Sequence, residues 1–117
     1  MSKTKNNTDV QYIQIQTTFE KFDDAEKVAA IMLDANLAAC AQTSEITSFY
    51  NFESKRCKDR EILLTLKTRS ELYDKCEKLI KQYHPYKIPQ IIAIRIEFGS
   101  PEYLDWVDGG VKVTSNK

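Results

Sequence analysis

Residues 61–84 read EILLTLKTRSELYDKCEKLIKQYH, and a change of period inside this stretch decides the fold. From Glu61 to Thr68, Ile62, Leu64 and Leu66 fall on alternate positions, the period of a half-buried strand. From Ser70 the apolar residues Leu72, Cys76, Leu79, Ile80 and Tyr83 take helical spacing and predict a helix to Tyr83. On its other side Glu71–Lys75, Asp74–Lys78 and Glu77–Lys81 are acid-to-base pairs at i,i+4, worth a few tenths of a kcal/mol each and typical of a solvated face. His84 and Pro85 end the helix, because a residue before proline avoids the helical region.

The same grammar extends outward. Gln90–Ile96 reads as a strand. Ala39–Glu53 reads as one long strand, separated from the next by a charged loop over Glu53–Arg60. Towards the N-terminus, Val10–Thr17 alternates as a strand. Asp23 and Glu26 then form a capping-box-like start for a helix from Asp24 to Ala35, with Ala25, Val28, Ala29 and Met32 on one side. Ser100 and Pro101 open a short last helix that Gly109–Gly110 stops. The order βαββαβ predicts an α+β, ferredoxin-like domain with both long helices on one face of a four-stranded antiparallel sheet. It is one domain over residues 10–110, with 1–9 and 111–117 as tails.

The 117 residues suit one domain. Seventeen basic and seventeen acidic side chains leave no net charge, which argues against a nucleic-acid partner and eases self-association. No apolar run reaches the 18 residues or so of a membrane span. The first ten residues lack the apolar stretch of a secretory signal. Cys40, Cys57 and Cys76 are odd in number and contain no C-x-x-C, so a reduced, cytoplasmic protein is expected. With Ile62, Leu64, Leu66, Ile92, Ile94 and Ile96 assigned to the helix side, Leu63, Thr65, Lys67, Ile91, Ala93 and Arg95 face away together with Tyr12. That second face is too apolar for solvent, and the second strand is too long for its partners. Both point to burial against another subunit.

Few side chains carry chemistry. His84 is the sole histidine and suits proton transfer or metal binding. Cys40 offers a thiolate for copper or zinc. Cys76 belongs to the helical stripe, and Cys57 to the charged loop. Lys67 could hold an anion. There is no phosphate loop, no zinc-protease motif and no nucleophile–histidine–acid spacing, so the chain is not read as an enzyme.

Leu37-Ala38-Ala39-Cys40, Ile46-Thr47-Ser48-Phe49-Tyr50, Leu64-Thr65-Leu66-Lys67-Thr68, His84-Pro85-Tyr86, Ile88-Pro89 and Tyr103-Leu104-Asp105-Trp106 together resemble the CutA family of divalent-ion tolerance proteins, over about residues 11–108. The resemblance implies a ferredoxin-like subunit, a homotrimer, and a role in tolerance of copper and other divalent cations. It brings no required cofactor. Cys40, Lys67, His84 and Tyr86 match the family's candidate site. Where the family carries two glutamates after the histidine motif, this chain has Lys87 and Gln90. Phe52 replaces its tryptophan, and residues 54–60 are more basic. With those carboxylates gone, Cys40 and His84 are the expected metal donors, within one subunit or across a boundary, and copper the expected ion. The resemblance also implies kinship with the PII signalling proteins. The alternative is thus a regulatory module for a small anion or a protein partner, with Lys67 and Tyr86 lining its cleft.

Overall fold

Strand β1 (Tyr12–Phe19) buries Ile13, Ile15, Thr17 and Phe19 on alternate positions. The computed structural model that shows this describes residues 10–113, so the expected tail at 1–9 and the last four residues of the expected tail at 111–117 lie outside it. Helix α1 (Phe22–Asp34) covers the buried side of β1 with Ala25, Val28 and Met32. Asp23 does not cap it: Lys21 holds that position with no side-chain cap bond. Asp23 and Asp24 lie in the first turn, where carboxylates oppose the positive end of the helix dipole. After α1 the chain reverses through Asn36 at φ 57°, a left-handed step that asparagine tolerates.

Strands β2 (Cys40–Phe52) and β3 (Lys55–Arg69) follow, then a 3₁₀ turn (Ser70–Leu72), helix α2 (Tyr73–Tyr83), strand β4 (Ile91–Ile96) and helix α3 (Pro101–Gly109). The sheet is antiparallel throughout, in the order β2-β3-β1-β4. This is the expected ferredoxin-like arrangement. Leu64 and Leu66 of β3 meet Leu72, Cys76 and Ile80 from the 3₁₀ turn and α2 in the core beside α1.

Two expectations about the sheet need correction. The charged loop expected over 53–60 is mostly strand. β3 begins at Lys55, and only Glu53 and Ser54, at φ 50° and 68°, form the turn. Two successive positive φ values are those of a type I′ hairpin, the turn that matches strand twist. The signal was invisible because both faces of this ribbon are wet: nothing apolar alternates in KRCKDR. Beyond the Phe19–Ile62 pair no third strand among the described residues lies beside the ribbon. It stretches the molecule to 53 × 27 × 21 Å.

The second correction concerns β4. Its register pairs Ile91, Ala93 and Arg95 with Thr17, Ile15 and Ile13, on the helix side. Ile92, Ile94 and Ile96 therefore face outward with Gln16, Gln14 and Tyr12, the reverse of the expected phase. IIAIRI is apolar on both sides, so hydropathy cannot phase it; pairing with β1 does. The outward face becomes more apolar than expected, with Ile92 and Ile94 each 45% exposed.

Helix α3 crosses one end of the outward face. The Ser100 hydroxyl accepts from the Tyr103 N–H at 3.2 Å, with Pro101 at the first helical position, as the sequence predicts. Arg69, largely buried, donates to Asp108 at 2.6 Å and to both oxygens of Glu71 at 2.7 and 2.8 Å. Val107 and Val111 are buried, and the Lys112 N–H donates to the Asn36 carbonyl. The packed chain thus runs past the expected limit at 110. Gly110 is required here, because a Cβ would sit 2.8 Å from that of Ala39.

Candidate functional site

The sheet register acts as a ruler for the four residues singled out in sequence. Cys40 stands opposite Lys67, which stands opposite Gln14. His84 is held at Thr18, four residues further along β1, or about 13 Å at strand rise. Within one chain the two expected metal donors therefore sit at different ends of the sheet. Lys67 and Tyr86 are separated in the same way. Lys67 donates to Gln42 at 2.9 Å, and its ammonium lies 5.3 Å from the centre of the Tyr103 ring, a cation–π contact. Cys40 is partly exposed in this corner.

His84 is 9% exposed and stacks on Phe19, with ring centres 4.2 Å apart. Its Nε2 lies 2.9 Å from the Thr18 carbonyl oxygen, and its Nδ1 accepts from the Tyr86 N–H at 3.1 Å. A carbonyl can only accept and an amide N–H can only donate. The ring is therefore the neutral Nε2–H tautomer with both nitrogens in use. Burial pushes its pKa below the ordinary histidine value, against smaller opposing effects of the Thr18 carbonyl, Asp24 and Glu61.

From this anchor Tyr86 reaches across to Glu61. Its hydroxyl donates to one carboxylate oxygen at 2.7 Å, and the Ser48 hydroxyl donates to the other at 2.7 Å. Tyr50 donates to Asp59. Burial, then the Glu61 carboxylate, drives the Tyr86 phenol far above the usual range. The bond to Asp59 is the main cause that pushes Tyr50 up to about 12. These groups line an open cleft of about 730 Å³ at the base of the ribbon, with Glu20, Thr18 and Gln90. Three carboxylates and no lysine or arginine line it. Lys87 lies instead in a groove with Glu77 and Lys81. Among the described residues no three histidine, cysteine or acidic side chains are close enough to make a ready metal cage. The three carboxylates outweigh the one ammonium near its rim, Lys58 at 6.0 Å from the centre of the Phe49 ring, so the lining charge favours a hydrated cation over an anion.

Sequence reading missed Glu20, Ser48, Tyr50, Asp59 and Glu61. The available signal was the alternation of Asp59 with Glu61 and of Ser48 with Tyr50. It becomes readable only once β3 is known to begin at Lys55, which pairs Ser48 with Asp59 and Ile46 with Glu61.

The fold and cleft define a class: a ferredoxin-like domain with an overlong β2–β3 ribbon and an acidic recess at its base. The model of the CutA1 divalent ion tolerance protein family matches residues 13–109, and the chain belongs to that family. It is 39% identical over 95 residues to the divalent-cation tolerance protein CutA of Pyrococcus horikoshii, covering 81% of this chain and 93% of the relative. The crystal structure of CutA1 from Oryza sativa superposes with a TM-score of 0.84 at 32% identity, over 88% of this chain and 95% of that one. A structure from Archaeoglobus fulgidus, described as the periplasmic divalent cation tolerance protein CutA, gives 0.83 at 37% identity over 86% and 99%. Against protein CutA of Mus musculus, 34% identical over 79% of this chain, the chain spans about half (52%) of the relative's length.

Proposed function

We propose that this chain serves divalent-cation tolerance by binding the cations themselves, as a homotrimer and without catalysing a reaction. The observation that carries the reading is the charge of the cleft: Glu20, Asp59 and Glu61 line it, and no cationic side chain does. Such a recess concentrates cations and repels the small anions that a PII-like module would take. Oxygen donors accept the whole divalent series, with copper(II) the tightest by intrinsic order. Cys40 is a further soft donor, and on this reading a second ligand for it comes from a neighbouring copy. Self-association is supported by the outward Ile92 and Ile94 and by Phe49 and Phe52 on the ribbon, 65% and 60% exposed. The number three rests on family resemblance. Three free cysteines favour the cytoplasm.

Calorimetric titration of the full chain with copper, zinc, calcium and ATP tests this. The cations should bind and ATP should not. Asp59→Asn with Glu61→Gln should weaken cation binding at least tenfold. Nucleotide binding tighter than that of every cation would reverse the reading in favour of the anion module.

A further inference from the structure

We infer that His84 is a positioning residue, not a metal donor: its imidazole ties the α2–β4 loop to β1 and thereby sets Tyr86 against Glu61 in the cleft. The inference deepens the cation reading above and rests on it for its functional consequence. Its geometric content stands independently.

The argument starts from lone pairs. A neutral imidazole has one nitrogen lone pair available to a metal, on the nitrogen without hydrogen. In His84 that nitrogen is Nδ1, and it accepts the Tyr86 N–H at 3.1 Å. The other nitrogen faces the Thr18 carbonyl at 2.9 Å and must carry the hydrogen. The ring is nine-tenths buried and stacked within 10° of parallel on Phe19. A metal could reach the Nδ1 lone pair only by displacing the Tyr86 amide that already occupies it. Cys40, the other expected donor, is remote.

The contact to Tyr86 has a specific local meaning. A side-chain acceptor at one residue that takes the N–H two residues on is the geometry of an Asx turn, usually made by asparagine or aspartate. Here His84 makes it while also donating backward to β1, which a short side chain does not reach. His84 is extended, at φ −78° and ψ 132°, as the following Pro85 requires. The loop therefore leaves α2 in one direction, and Tyr86 arrives with its hydroxyl 2.7 Å from Glu61. Glu61 is held from the other side by Ser48. Removing the imidazole hydrogen bonds frees Tyr86 and leaves Glu61 with one positioned donor.

The test separates acceptor, stack and metal. His84→Phe keeps a ring against Phe19 and loses both hydrogen bonds; His84→Asn restores the acceptor alone, as an Asx turn. In the full chain, amide exchange at Tyr86 should quicken about five- to tenfold in His84→Phe and return towards native in His84→Asn. Copper and calcium affinities should fall about fivefold in the first variant and recover in the second. Long-range nitrogen correlation spectra of the native protein should show the Nε2–H tautomer, unmoved by zinc. Direct zinc-induced shifts of the imidazole nitrogens would overturn the inference. So would unchanged Tyr86 exchange in a folded His84→Phe chain. If no cation binds the native protein, the cation reading fails, while the exchange result still decides the positioning role.

Discussion

Ile94→Lys tests whether the outward sheet face is an assembly surface. Ile94 is the middle outward residue of β4, between Ile92 and Ile96 and beside Gln14. It is 45% exposed in the single chain, so about half of an isoleucine's burial value of ~1.5–3 kcal/mol remains to be gained, about 1 kcal/mol per copy. Ile94→Ala should therefore weaken association only modestly. Lysine is different. In the single chain its stem can lie along the sheet with the ammonium in water, so the fold should survive. In a closed interface the ammonium is desolvated without a partner, at about 3–5 kcal/mol per copy, or on the order of 10 kcal/mol over three copies. That is the size of a whole association energy. Sedimentation velocity at micromolar concentration should show the native chain near three times 13.5 kDa. Ile94→Lys should sediment as one chain with an unchanged far-ultraviolet spectrum. A native protein that sediments as a single chain would refute the reasoning, as would a Lys variant that assembles like native.

Three further outcomes follow from buried groups. The hydroxyls of Thr17 and Thr68 are buried without a hydrogen-bond partner among the described residues, so Thr17→Val and Thr68→Val should each stabilise by about 1 kcal/mol in urea unfolding. Thr68 pairs with Ile13, about 13 Å along β1 from Thr17, so the two gains should add; a loss of stability would show an unseen partner. Because His84 has a folded pKa below its unfolded value, its contribution to stability is complete above the unfolded value near 6.5 and is lost as pH falls towards the folded one; the urea midpoint of native, but not of His84→Phe, should drop through this window. Alkylation should reach Cys57 first and Cys76 last, since burial pushes the Cys76 thiol from 9.0 up to about 12 and its hydrogen goes to the Leu37 carbonyl; early labelling of Cys76 would contradict its place in the core.

What sequence alone discloses here depends on which face of an element is dry. The core strands and both long helices have one apolar side, so their period is audible, and the ferredoxin-like order could be read from it. The distal ribbon has two wet sides. KRCKDR reads as a loop although every residue of it pairs across to β2. β4 fails in the opposite way, with two apolar sides and no phase. The cap of α1 was misplaced because Asp23 and Glu26 satisfy a spacing rule that the backbone around Lys21 does not use. In each case the deciding information is cross-strand register or backbone angle, neither of which is a property of a short window.

The same cause explains the site. Cys40, Lys67, His84 and Tyr86 are the residues a sequence reader isolates, because each is chemically distinctive where it stands. Coordination depends instead on which side chains share a register column, and β1 sets Cys40 and Lys67 at Gln14 but His84 at Thr18. The carboxylates that share the cleft come from β3 and from the turn after β1. Two of them, Asp59 and Glu61, had looked like parts of a loop and a strand end. Lys87 lines a groove with Glu77 and Lys81 and is not among the residues that line the cleft. The cleft therefore keeps its negative field although the family's two glutamates are replaced here. The loss of those carboxylates by itself does not count against cation binding, because Glu20, Asp59 and Glu61 supply the charge from other elements.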